Sequence, residues 1–326
     1  MRMGARIIGT GSAIPTTCLT NADMEKRVAT SNDWIVTRTG IQERRAIKHG
    51  EDLMDLMHVA STRALDAAGL KAQDLQAIVV ATVSGEYYFP STACLLQERL
   101  GVDTIPAFDV NAACAGFIYG MSVVHSYAKS GEYGRMLLVG ADALSTMVNW
   151  QDRTTCVLFG DGAGAVVLDT QPGDRGLLST VIESSGALWK LLHVRSGHRQ
   201  AFDQEGIQPK DWGIQMKGPE LFKVAVRALA DVAGKALGRS GLSSSDVHLI
   251  IPHQANLRII QAVAERMKVG MDKVYCNVQR FGNTSAASIP IALDEAVREG
   301  KIHDNDIIVL NACGGGLTWG ASVVRW

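Results

Sequence analysis

The sequence predicts an α/β fold built from two related halves, and three observations carry the prediction. Apolar runs of four to seven residues alternate with segments of helical periodicity, the pattern of strands and their covering helices. These runs are continuous stretches of Val, Ile and Leu, as expected of strands buried on both faces. The chain also echoes itself. A-G-L-K-A-Q-D-L-Q-A-I-V-V (68–80) resembles S-G-L-S-S-S-D-V-H-L-I-I-P (240–252), and M-L-L-V-G-A (136–141) falls opposite I-V-L-N-A-C (308–313), both at an offset of 172. Each half then closes on a glycine-rich turn and a strand, G-D-G-A-G-A-V-V-L in the first and G-G-G-L-T-W-G-A-S-V-V in the second. The shared offset favours a duplicated fold, with halves at 1–175 and 176–326. In such a fold the site lies where the halves meet, at the carboxyl ends of strands.

Taken in order, the strand candidates are Ala77–Val83, Met136–Val139, Ala163–Leu168, Val247–Ile251 and Asp306–Leu310. A helix is expected over Asp55–Ala68, closed by Gly69, since glycine takes the left-handed conformation that ends helices. A second is expected over Pro219–Arg239. It opens on proline at a first turn and carries Leu221, Phe222, Ala225, Val226, Leu229 and Val232 on one side. The polar segment Gly186–Gly218, with Trp189 and Trp212, has no clear period and reads as a long excursion. Segments of that length serve as lids and binding walls, or are plain surface insertions.

Composition narrows the function. With 326 residues, 47% hydrophobic, the chain is long enough for a sizeable core. A formal net charge of -1 offers no global positive field for nucleic acid or an anionic membrane. No apolar run approaches the roughly 20 residues of a membrane span, and the N-terminal M-R-M-G-A-R-I-I-G-T-G-S lacks the apolar core of a signal peptide. Six scattered cysteines form no C-x-x-C pair, which argues against a disulfide framework or a zinc site and for reduced thiols in the cytoplasm.

Four segments can carry chemistry. Cys114 follows a short apolar strand in F-D-V-N-A-A-C-A-G-F-I-Y-G and opens an expected helix, Cys114–Lys129. Small neighbours admit a substrate, and the positive end of a helix favours thiolate; the alternative is a small buried hydrophobe. His253, in I-I-P-H-Q-A-N-L-R-I-I, projects from a strand end into a crevice, or is simply structural. Asn283, in R-F-G-N-T-S-A-A-S-I-P, opens an expected helix over Thr284–Glu299 and suits either a catalytic amide or an ordinary helix cap. Gly314, Gly315 and Gly316 form a turn whose backbone N–H groups can converge on an oxyanion.

Taken together and in order, N-A-A-C-A-G-F, P-H-Q-A-N-L-R-I-I, G-N-T-S-A-A-S and G-G-G-L-T-W-G resemble the 3-oxoacyl-[acyl-carrier-protein] synthase III family. The resemblance runs nearly end to end, from I-I-G-T-G-S through D-W-I-V-T-R-T-G-I and F-G-D-G-A-G-A to the C-terminus. It implies a thiolase-like five-layer α-β-α-β-α sandwich. It also implies a decarboxylative Claisen condensation of an acyl-CoA primer with malonyl-[acyl-carrier-protein], initiating fatty-acid synthesis without a metal or redox cofactor.

By that resemblance Cys114 carries the acyl group, while His253 and Asn283 stabilise the enolate left by decarboxylation. The backbone N–H groups of Cys114 and Gly315 hold the tetrahedral oxyanion. Trp34, Arg38, Arg153 and Asn256 are expected to bind CoA, and Gln254, Ala255, Asn256, Leu257 and Arg258 to dock the carrier protein. Phe89, Phe222 and Cys313 are expected around the acyl pocket, with Phe89 reaching across a two-fold homodimer. Cys313 stands where the family usually has an aromatic residue, and the Gly186–Gly218 segment is longer than expected. Two other readings remain open: a specialised condensing enzyme or acyltransferase of the same fold, and a non-catalytic carrier-binding scaffold. The presence of Cys114 speaks against the second.

Overall fold

The computed structural model describes residues 3–195 and 213–326. Its first sheet contains Met3–Ala13 (β1), Ala77–Ala81 (β2), Ala107–Val110 (β3), Arg135–Ala143 (β4) and Asp161–Pro172 (β5), in the order β1-β5-β4-β2-β3. The second contains Gly176–Ser184 (β6), Leu249–Pro252 (β7), Ile307–Gly314 (β8) and Thr318–Arg325 (β9), in the order β7-β8-β9-β6. Helix Leu53–Ala68 (α1) covers the outer face of the first sheet. Gly116–Ser130 (α2) and Ser288–Arg298 (α5) lie between the sheets. Gly218–Arg239 (α3) and Leu257–Met267 (α4) cover the outer face of the second. The result is the expected five layers, α-β-α-β-α.

The continuous apolar strands are explained by this layering. Successive side chains of a strand point to opposite faces. Ala77 and Val79 of β2 therefore enter the central core, and Ile78 and Val80 pack under α1. In the other half, Ile308 and Leu310 of β8 face the centre while Ile307 and Val309 face the outer helices. Helix ends follow local chemistry. Asp52 caps α1 by accepting from the Asp55 N–H, so the helix starts at Leu53 rather than Asp55, and Gly69 closes it at φ 66°.

The sequence echo is a structural one. The short 3₁₀ turns Ala72–Asp74 and Ser244–Asp246 precede β2 and β7. The parallel pairs share a register at the same offset, Ala77 opposite Met136 in one half and Leu249 opposite Ile308 in the other. Both α2 and α5 begin one 3₁₀ turn later than expected, at Gly116 and Ser288. Of the long excursion, Gly186–Leu191 forms a 3₁₀ turn, and Leu192–His193 pairs with Gln215–Met216. The stretch 196–212, with Trp212, lies outside the described residues.

Candidate active site

The chain leaves β3 at Val110 and enters a single 3₁₀ turn, Ala113–Ala115, before α2. Cys114 is thus buried in the turn ahead of the helix. Ala113 takes φ 47°, a left-handed conformation costing an L-residue roughly 1–2 kcal/mol, and the surroundings hold it there. Thr318 Oγ1 lies 2.8 Å from the Ala112 carbonyl and 3.1 Å from that of Gly315, pinning the glycine loop to the turn. Gly314 approaches so closely that a Cβ there would fall 2.5 Å from the Cys114 nitrogen. Only glycine admits this contact. The loop expected to supply an oxyanion donor therefore lies against the Cys114 turn.

His253 follows β7, and its backbone N–H donates to the Asn311 carbonyl of β8 at 2.8 Å. Its Nδ1 lies 2.6 Å from Ser288 Oγ, which also accepts from the Gln254 N–H at 3.3 Å. The hydroxyl keeps its own proton to give to Nδ1, and in that arrangement the ring proton sits on Nε2. Burial lowers the imidazole to about 4, because desolvation penalises the charged form. It is neutral near pH 7 and presents an N–H.

Asn283 is locked between the halves. Its N–H donates to the Leu158 carbonyl and its own carbonyl accepts from the Gly160 N–H. Its Oδ1 accepts from the Ser285 N–H at 2.9 Å. The cap and the catalytic amide are thus compatible, for the oxygen caps the turn and the NH₂ stays free to act as donor. Ser285, buried and at φ 53°, points its hydroxyl at Cys114 Sγ, 3.4 Å away. Neither Ser285 nor Ser288 was singled out from the sequence. Their only signal was their place in the G-N-T-S-A-A-S segment.

One electrostatic expectation is corrected. The helix N-terminus was expected to favour thiolate, yet burial pushes the Cys114 thiol up to about 12, and the nearby Asp142 carboxylate adds to the rise. A helix end contributes roughly 0.3–1 kcal/mol at exposed sites and ~2 kcal/mol when partly buried, less than full desolvation of a thiolate. Cys313 is likewise pushed up to about 12, by burial first and by Cys114 second. Both are thiols near neutral pH.

A cavity of about 640 Å³ opens on Cys114 and Ser285. Leu144, Met147, Phe159, Leu192 and Ile214 give it an apolar wall that sequence reasoning did not find, and Trp189 of the excursion stands on its rim. Phe89, Phe222 and Cys313 are not among the residues that line this cavity. Phe222 sits beneath the Arg258 guanidinium, 6.0 Å from its ring centre, and Cys313 packs under α3. Phe89 is 86% exposed beside the exposed Tyr87 and Tyr88. His253 and Asn283 are buried and do not line the cavity; Asn283 reaches it through Ser285, and His253 bonds to Ser288 at the start of α5.

The four residues expected to bind CoA do come together. Arg38 and Arg153 flank the Trp34 ring at 4.6 and 5.2 Å. Asn256 donates to the Arg38 carbonyl while capping α4 through the Arg258 N–H. The docking segment needs a correction at Gln254. Its side chain is 1% exposed, accepts from the Asn277 and Val278 N–H groups and donates to the Pro252 and Tyr275 carbonyls. All its hydrogen-bonding capacity is used internally, so no face remains for a partner. Arg258 is exposed.

Comparisons with known proteins place the chain in a family. The family model described as 3-oxoacyl-[acyl-carrier-protein (ACP)] synthase III matches residues 108–186, and the one for its C-terminal part matches 237–326. A beta-ketoacyl-[acyl-carrier-protein] synthase III from Aquifex aeolicus (strain VF5) is 48% identical over 99% of this chain and 100% of its own length. The crystal structure of 3-oxoacyl-[acyl-carrier-protein] synthase III from Aquifex aeolicus VF5 superposes with a TM-score of 0.92 at 47% identity, covering 99% of this chain and 100% of that one. The corresponding Thermus thermophilus structure gives 0.92 at 40% identity, covering 98% and 99%. No helix among the described residues is long and apolar enough to cross a membrane. The chain belongs to the 3-oxoacyl-[acyl-carrier-protein] synthase III family.

Proposed function

We propose that this enzyme condenses an acyl-CoA primer with malonyl-[acyl-carrier-protein], releasing carbon dioxide and CoA, and so initiates fatty-acid synthesis. One observation carries the reading: a buried thiol lining a cavity with an apolar wall, on a turn held against a glycine loop, facing the hydroxyl of Ser285, whose own turn is capped by the Asn283 carboxamide. Cys114 Sγ attacks the primer thioester, its bond to the acyl carbon replaces that of CoA, and the thiol proton leaves with CoA. The malonyl thioester then loses carbon dioxide to give an enolate. Its oxygen accepts from His253 Nε2–H and the Asn283 amide, each worth about 2.7–4 kcal/mol as an oxyanion donor in a dry site. The enolate carbon attacks acyl-Cys114, the Cys114 and Gly315 N–H groups hold the oxyanion, and collapse breaks the bond to Cys114 Sγ, freeing the 3-oxoacyl thioester and a thiolate that takes up one proton from solvent. A carboxamide cannot act as a base, which suits an enolate made by decarboxylation. The thioesters supply the activation, so no metal or redox cofactor enters the scheme.

Arg38 and Arg153 suit the phosphates of CoA and Trp34 its adenine. Arg258 meets acidic carrier residues, with Ala255, Asn256 and Leu257 forming the rest of the docking surface. The exposed Tyr87-Tyr88-Phe89 row supports a two-fold homodimer in which Phe89 reaches the partner's cavity. Six free cysteines support a reducing, cytoplasmic setting. Mass spectrometry after mixing with acetyl-CoA and longer primers tests the scheme. A thioester adduct on Cys114 is expected, absent in Cys114→Ser; no adduct from any acyl-CoA sinks the reading.

A further inference from the structure

Cys114 needs a hydrogen-bond donor at sulfur, and the described contacts supply one from the opposite half. Ser285 Oγ lies 3.4 Å from Sγ, within range for a hydrogen bond to sulfur. Ser285 is 1% exposed. Its backbone is fixed on two sides, by Asn283 Oδ1 at the Ser285 N–H and by Asp142 Oδ2 at the Ala286 N–H, 3.3 Å away. Asp142 is fully buried, and its other oxygen is held by Thr82 Oγ1, the Val83 N–H and Ser84 Oγ. The Ser285 hydroxyl also faces that carboxylate. It has one proton and two acceptors.

We propose that Ser285 is a further catalytic residue, whose hydroxyl donates to the Cys114 sulfur as charge develops there, with Asp142 as the positioning residue that holds it. A developing thiolate draws the proton toward Sγ. Once Cys114 is acylated its sulfur is a poor acceptor, and the hydroxyl turns back to Asp142. The donor is thus engaged when sulfur is attacking or leaving and withdrawn while the acyl group waits.

The duplication shows that the hydroxyl is not there for the backbone. Ala113 occupies the position equivalent to Ser285 at the 172-residue offset, opens an equivalent 3₁₀ turn and takes the same left-handed conformation, φ 47° against 53°. Alanine therefore suffices for the turn, and Ser285→Ala is expected to fold. Ser285→Gly removes the hydroxyl with no strain at all.

The test is the pH dependence of Cys114 alkylation by iodoacetamide, with the site confirmed by peptide mapping. Asp142 from β4 and Cys313 from β8 are the titratable groups that bear on this thiol. Loss of a hydrogen bond to a charged group raises the alkylation midpoint by about one unit, roughly tenfold slower reaction below it. Both Ser285 variants are expected to show this rise. Asp142→Asn removes a like charge and is expected to lower the midpoint, whereas general loosening of the site would move all three variants the same way. An unchanged midpoint in either Ser285 variant that folds overturns the proposal. The inference rests on Cys114 being the nucleophile proposed above. Alkylation needs no acyl-CoA, so failure of the condensation scheme would show separately, as absent acylation beside a normal profile shift.

Discussion

Replacing Ser288 by alanine tests how the imidazole is set. The hydroxyl accepts from the Gln254 N–H at 3.3 Å and lies 2.6 Å from His253 Nδ1, inside a region where His253 is 5% exposed. Its loss strands a buried acceptor at Nδ1 and a donor at Gln254, and an unsatisfied buried group costs about 1–3 kcal/mol. With the hydroxyl gone no donor holds Nδ1 as the acceptor, so the ring proton is no longer confined to Nε2, and the Nδ1–H form turns a lone pair toward the enolate. A lost oxyanion donor is worth about 2.7–4 kcal/mol, or about 10²–10³ in rate. Partial retention of the Nε2–H form sets the lower bound at about tenfold.

The assay separates the half-reactions. Acylation of Cys114 by acyl-CoA is followed by mass spectrometry, and decarboxylation by release of labelled carbon dioxide from malonyl-carrier protein. Ser288→Ala is expected to acylate at the parental rate and to decarboxylate about 10- to 10³-fold more slowly. Urea unfolding should show it about 1–3 kcal/mol less stable. Equal loss in both half-reactions, or none in decarboxylation, refutes the assignment of the proton to Nε2.

Three further outcomes follow from the same geometry. Because burial lowers His253 to about 4 from its ordinary 6.5, the unfolded chain binds the extra proton first as pH falls. Its contribution to stability is full above about pH 6.5 and is lost progressively toward about pH 4. His253→Gln should therefore lose about 2 kcal/mol less than wild type between about pH 7 and about pH 5, read by urea unfolding. Gly314→Ala drives a methyl to 2.5 Å from the Cys114 nitrogen, and acylation should fall at least about tenfold while circular dichroism stays unchanged. Trp34→Ala and Arg38→Ala should raise the KM for acyl-CoA several-fold and leave Cys114 alkylation by iodoacetamide untouched.

The sequence made the fold legible because burial on both faces writes itself as continuous apolar strands, and because duplication repeats turn chemistry at a constant offset. The helix starts were misplaced by a turn, since Cys114 and Ser285 occupy 3₁₀ turns whose left-handed first residues, Ala113 and Ser285, carry no glycine to announce them. Cys114, His253 and Asn283 were legible as types at strand and helix ends. The groups that set them were not: a serine in a run of small residues does not declare which sulfur or imidazole it faces. Gln254 misled for the opposite reason. A polar residue beside an exposed segment looks like a contact, and only the four internal hydrogen bonds show it is a strut. The thiol's acidity was misjudged because a helix end is visible in sequence whereas the depth of burial is not.

The duplication also explains why the chemistry is divided as it is. The two central helices start at equivalent positions, Gly116 and Ser288, and a Cβ on Gly116 would lie 3.6 Å from that of Ala286, the residue equivalent to Cys114. The pseudo-symmetry thus brings two copies of one turn face to face, and function requires them to differ. At that offset Cys114 stands against Ala286, His253 against Ala81, and Gly314 against Asp142. A side chain at 314 would strike the Cys114 turn. A histidine at 81 would sit within β2, where both faces are covered. Each substitution away from symmetry leaves one nucleophile, one imidazole and one open loop, and Asp142, at the place where the glycine loop cannot be repeated, became the anchor of the opposite turn.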